Sequence, residues 1–309
     1  MLEECKLTLT TLNILQGTVV DWRGTVTNFL AKTSEDTLNS SSASLPSTVR
    51  TAASTVDWGD FAWQWRKSYY HFTQSYDPSS GPFKSVDQHH LEALIDLLRK
   101  HQLEGLWNEE ELQRISMIWH FLDPWPDSAR GLGMLNEKFE TATLSNGNTS
   151  LLSDLAKHGS LPYKHILSAE DFKAYKPHAD VYNGAAKKFG VSASECALIA
   201  AHLGDLHAAR HKCGYQTIYI ERSQEETWPQ AKVEEAKQAG WVDMWVKEDE
   251  GGFEEVARRF GVTRPEEGVY HETRGITGPE HDPPRSQQDQ SAEEQAKQGV
   301  YHEDASIMN

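Results

Sequence analysis

Apolar residues recur along this chain with two different periods. From Asp87 onward, Leu91, Leu94, Ile95 and Leu98 fall three and four residues apart, the stripe of an amphipathic helix. Asn108 followed three residues later by Glu111 marks a helix start, and Leu112, Ile115 and Trp119 continue the spacing until Pro124. Upstream, Trp58, Phe61, Trp63 and Trp65 crowd in front of Arg66, with Tyr69 and Tyr70 behind it. Residues 25–129 therefore read as helical, with a boundary expected in the Ser/Thr-rich run 33–55 that contains Pro46. From Phe139 the pattern changes to short apolar runs between helical ones. Strands are expected at 142–144, 165–168, 197–202, 216–220 and 242–246, and an earlier one at 7–15 ends in Gln16-Gly17-Thr18. This alternation predicts a doubly wound, Rossmann-like α/β fold with a parallel sheet, helices on both faces and an inserted helical cap. The expected division is 1–24 with 130–263 as the α/β core, 25–129 as the cap and 264–309 as a tail.

The tail differs in kind from the rest. It has ten Asp and Glu against four Lys and Arg, carries Pro265, Pro279, Pro283 and Pro284, and lacks Leu, Phe and Trp. Such a segment buries too little surface to offset its ordering entropy, so disorder is expected. Gly-Val-Tyr-His-Glu occurs in it twice, at 268–272 and 299–303, as a docking motif or as duplication drift. The whole chain has a formal charge of −16, which repels phosphate backbones and argues against a nucleic-acid partner. No run approaches the ~18–20 apolar residues of a membrane span, and the opening Met-Leu-Glu-Glu lacks the basic start of a secretion signal. Cys5, Cys196 and Cys213 are too few and too scattered for a disulfide scaffold or a Cys-x-x-Cys metal knuckle. A soluble, cytoplasmic protein is expected. Its apolar helical cap face either packs inward or pairs two copies as a homodimer.

Open parallel sheets bind ligands beyond the carboxyl ends of their strands. Thr18, Ser145, Asn146, Lys176, His202 and Asp205 all fall at or after such ends. Two hydroxyls, an amide and an ammonium with a carboxylate to hold it suit a small anionic substrate. His207 and His211 have the i, i+4 spacing of a two-histidine zinc site, but no third ligand is near in sequence, so an exposed helix face is the preferred reading.

Four stretches in order resemble the haloacid dehalogenase superfamily and, within it, the type II (S)-2-haloacid dehalogenases. They are Gly17-Thr18-Val19-Val20-Asp21-Trp22-Arg23, Leu144-Ser145-Asn146-Gly147-Asn148, the segment from Leu167 through Tyr175-Lys176-Pro177, and Ala200-Ala201-His202-Leu203-Gly204-Asp205-Leu206. The resemblance implies displacement of halide from a short 2-haloacid by an aspartate, through an ester that water then hydrolyses, with no organic cofactor and no metal. It also implies that Lys176 steadies the nucleophile, Ser145 holds the substrate carboxylate and Thr18 joins the same cradle. Arg66 with Asn146 is implied to take the halide, Tyr182 to line the site, and Asp205 to organise Lys176 and the water. Arg66 stacked on Trp63 or Tyr70 is the structural alternative.

The departure lies at the nucleophile. Its expected position, three residues before Gly17, is Ile14, and a hydrocarbon side chain attacks nothing. Asn13 is one residue off, on the opposite strand face. Asp21 reads as an acid favouring a helix N-terminus. Either this is a non-catalytic relative that binds a small carboxylate, or residues 1–16 are not the authentic strand. His202, where an asparagine is expected, either positions water or caps a strand end. A phosphatase of the superfamily is the enzymatic rival, but it needs a second acid where Gln16 stands and further acids beside Asp205 to hold Mg²⁺.

Overall fold

The computed structural model describes residues 10–13, 15–41, 44–77, 79 and 81–262. The chain divides after Arg264. Ile14, Cys5, the expected tail and both Gly-Val-Tyr-His-Glu copies lie outside the described residues. The elements run β1 (Thr10–Asn13), β2 (Val20–Asp21), α1 (Trp22–Asn39), α2 (Ser47–Thr55), α3 (Trp58–Ser75), α4 (Val86–Lys100), α5 (Glu109–Ser116), β3 (Asp123–Pro124), α6 (Ser128–Leu135) and β4 (Glu140–Thr143). They continue with α7 (Thr149–His158), α8 (Ala179–Phe189), β5 (Cys196–Ala200), α9 (Leu203–Cys213), β6 (Gln216–Ile220), α10 (Gln230–Ala239), β7 (Met244–Val246) and α11 (Gly252–Arg259).

Five strands form one parallel sheet in the order β4-β1-β5-β6-β7. In β1, Leu12 stands opposite Ala142 on one side and Leu198 on the other. Every residue of β5 is buried, as a central parallel strand covered on both faces requires. The expected strand at 165–168 is instead two isolated parallel contacts, Ala142 with His165 and Ser145 with Ser168. The reason is local. The Thr143 hydroxyl accepts from the Leu167 N–H and donates to the Leu167 carbonyl, so a side chain takes groups a backbone ladder would use.

The cap grows out of the loop after β1 and returns where β2 pairs antiparallel with β3. The 33–55 run is not a linker. Helix α1 continues through it to Asn39 because Trp22, Val26, Leu30 and Ser34 form one buried face, and tertiary packing outweighs weak propensity. Pro46 precedes α2 as its N-cap residue. Asn108 and Glu111 form the expected capping box. The buried stripe of α4 is centred one residue from the expected one, on Val86, His90, Ala93, Leu94, Leu97 and Leu98. Trp22, Trp65 and Trp119 meet at the centre, with Trp119 6.1 Å from Trp22 and 5.3 Å from Trp65, so these tryptophans are packing residues. No helix among the described residues is long and apolar enough to cross a membrane.

His90 has no exposed surface, stacks on Trp119 at 4.7 Å, and has no hydrogen-bond partner for either ring nitrogen among the described residues. Burial pushes its pKa well below the ordinary imidazole range. The unfolded chain therefore takes up a proton near pH 6.5 that the folded chain refuses, and stability is lost as pH falls below that value. Relative to His90→Phe, the wild-type chain should lose up to about 1.4 kcal/mol per pH unit below pH ~6.5. Urea unfolding of both proteins across that range measures it, and a pH-independent difference would show that His90 protonates freely in the fold.

Candidate active site

The loops beyond β1, β4, β5 and β6 meet helix α3 of the cap over a cavity of about 160 Å³. Arg66, Ser145, Asn146, Lys176, His202 and Asp205 all line it. Asn146 sets the geometry. Its side-chain oxygen accepts from the Lys176 N–H at 2.8 Å and its amide donates to the Lys176 carbonyl at 3.3 Å. The clamp joins the turn after β4 to the loop carrying Lys176, whose ammonium lies 3.4 Å from Asp205 Oδ1 in the first turn of α9. Burial drives the lysine pKa down, the neighbouring Asp205 opposes this, Arg66 adds to the lowering, and the net shift is downward. Arg66 comes from α3, where its guanidinium sits 4.6 Å from the Tyr69 ring and 5.8 Å from that of Trp22. It both stacks, though on rings other than those expected, and is one of the cavity's lining residues; its Nη1 is buried and lacks a partner among the described residues.

Two expected members are elsewhere. Thr18 is fully buried but does not line the cavity. Its hydroxyl accepts from the Ala201 N–H at 2.8 Å, fastening the first loop to the end of β5. Tyr182 is buried on α8 behind the lining, with its carbonyl accepting from the Tyr215 hydroxyl at 2.6 Å. Burial, then the nearby Asp205 charge, raises its phenol pKa well above normal. Asp21 is the N-cap of α1, accepting from the Gly24 N–H at 2.8 Å. His207 and His211 stack at 4.1 Å on the exposed face of α9. Cys196 is buried and Cys213 half-buried.

Glu225 went unanticipated. It is buried in the loop after β6 and pairs through Oε2 with His202 Nε2 at 3.2 Å, while the Trp22 indole donates to the same oxygen at 3.1 Å. A carboxylate only accepts, so His202 carries its proton on Nε2 in this pair. Burial alone would raise the Glu225 pKa, but the hydrogen bond and charge of His202, with Arg66 and Trp22, hold it below the usual range. The available signal was its place beyond a strand end, in a stretch crowded with Glu221 and Glu226. Gln16, also on the lining, is buried, and its amide nitrogen has no partner among the described residues. Two cations, Arg66 and Lys176, thus face one lining carboxylate, Asp205, in a small, largely buried space. That balance suits a small anion.

The haloacid dehalogenase-like hydrolase family model matches residues 15–211. The chain belongs to this family. (S)-2-haloacid dehalogenase 4A of Burkholderia cepacia is 30% identical over 163 residues, 52% of this chain and 68% of the relative. (S)-2-haloacid dehalogenase 1 of Pseudomonas sp. (strain CBS-3) is 32% identical over 122 residues, 38% of this chain and 53% of that protein, about half its length. Among solved structures, a defluorinating L-2-haloacid dehalogenase superposes with a TM-score of 0.66 at 28% identity, covering 81% of this chain and 94% of that one. Another L-2-haloacid dehalogenase gives 0.65 at 29%, covering 82% and 99%. The fold is accordingly that of an L-2-haloacid dehalogenase-like protein, an α/β core with a helical cap.

Gly17 has φ +83°, and a Cβ placed there would run into the Glu225 carboxylate. Gly17→Ala should destabilise the fold by about 2–4 kcal/mol, combining overpacking with left-handed strain. In a Glu225→Ala background only the strain, about 1–2 kcal/mol, should remain. Urea unfolding of the four proteins gives the coupling, and strict additivity would sink the idea that glycine is there to admit Glu225.

Proposed function

We propose that the cavity is a 2-haloacid site in which Lys176 and Ser145 hold the carboxylate while Arg66, with Asn146, faces the halogen. The observation that carries this reading is the buried Lys176 ammonium beside Asp205, on the lining of a cavity that Arg66, Ser145 and Asn146 also line. The names of the relatives, (S)-2-haloacid dehalogenases, support the same substrate class. A carboxylate at position 14 attacks C2, halide leaves toward Arg66 with inversion, and water cleaves the resulting ester, with Asp205 and His202 ordering that water. Ile14 supplies no such carboxylate. The chain as written therefore binds the acid, and the ester route is closed to it by one side chain.

Calorimetry should detect binding of (S)-2-chloropropionate by the unaltered chain. Lys176→Met should weaken it about tenfold or more, since a charge-assisted hydrogen bond contributes about 1.5–3 kcal/mol. Chloride release should stay at the protein-free background for the unaltered chain and appear with Ile14→Asp, together with a covalent adduct in the intact mass. Absence of binding, or an Ile14→Asp protein that releases no chloride, would refute the assignment.

A further inference from the structure

A second cavity of about 200 Å³ abuts the first, and Arg66, Tyr70 and His202 are walls of both. It lies in the cleft between cap and core, bounded by the start of α1, one face of α3 and the loop after β6. Its character differs from that of the acid cavity. Trp22 and Trp63 stack at 6.3 Å, and the Arg23 guanidinium covers both rings at 4.7 and 5.2 Å. Glu225, the carboxylate on its wall, is already engaged by His202 and the Trp22 indole, and Arg23 Nη2 donates to the Gln224 carbonyl at 3.2 Å. What is left to a ligand is mainly aromatic surface. Trp63 and Tyr70, 37% and 36% exposed, are two of the three large apolar side chains left exposed among the described residues, and both stand here. Aromatic faces exposed side by side at one cleft offer a flat apolar group surface on which to stack.

Size points the same way. Small-molecule sites usually span about 300–1,000 Å³; neither cavity reaches that alone, and the two together do. We propose that the aromatic cavity receives the substituent at C2 of the bound acid, so that the preferred ligands are 2-substituted carboxylic acids bearing an aryl group. This rests on the acid cavity being the carboxylate site. The flat ring enters between Trp63 and Tyr70, where stacking and desolvation favour it, while the carboxylate stays on Lys176.

Calorimetry on the unaltered chain tests this with (S)-2-chloro-3-phenylpropionate against (S)-2-chloropropionate. The phenyl compound should bind about tenfold tighter or better, with a change in tryptophan emission. Trp63→Ala should remove most of that gain while leaving 2-chloropropionate binding unchanged, and Trp63→Leu, which retains apolar bulk, guards against a folding defect and should lose the gain in part. Equal affinity for the two acids overturns the inference and leaves the 2-haloacid reading standing. A tighter phenyl compound indifferent to both Trp63 variants, or both acids weakened alike by them, overturns the placement in this cavity. Failure of both acids to bind the unaltered chain overturns both readings.

Discussion

The site depends on keeping an ammonium ion inside the protein. Taking Lys176 out of water costs several kcal/mol, and only a nearby carboxylate and a fixed geometry offset that cost. Asp205 supplies the charge and Asn146 the geometry, by holding the lysine main chain at both its N–H and its carbonyl. Each comes from a different segment, and only the parallel order of β4, β1 and β5 brings the three together. A buried pair of this kind does little for net stability. Its value is a positive charge of defined position, poised to take an anion.

A second buried pair ties the site to the cap. Glu225 lies beneath the loop through Gly17, bound to His202 on one side and to the first residue of α1 on the other. Trp22 then leads through Trp119 to Trp65, one residue before Arg66. The His120 ring strengthens the same junction, reaching Asp154 at 2.7 Å on α7 and Asp87 at 3.0 Å on α4. Arg66 is therefore held over the cavity by continuous packing from the sheet edge outward.

The family resemblance and the cavity raise one question of side-chain chemistry, at Ile14. Arg66, Lys176, Ser145 and Asn146 line one cavity, and in the proposed reading the attacking carboxylate is the part that Ile14 does not supply. The proposed reading is accordingly one of holding a carboxylate ligand without consuming it.

The five strands of the parallel sheet, the inserted cap, and the grouping of Ser145, Asn146, Lys176, His202 and Asp205 were legible in the residues, because periodicity sets element type and parallel sheets deliver their loops to one edge; the loss of the expected strand at 165–168 and the unexpected β2–β3 pair were not. That Ile14 carries no group able to attack carbon is likewise a matter of side-chain chemistry alone. Sequence could not decide where the side chains at those loop positions would point. Thr18 turned to the Ala201 amide, Tyr182 sank behind the cavity, and Glu225, more than two hundred residues from Trp22, became the link between His202 and the cap. Those outcomes turn on which buried polar group finds which partner. Partners distant along the chain become neighbours only after the sheet and cap have closed, so tertiary structure alone made that choice.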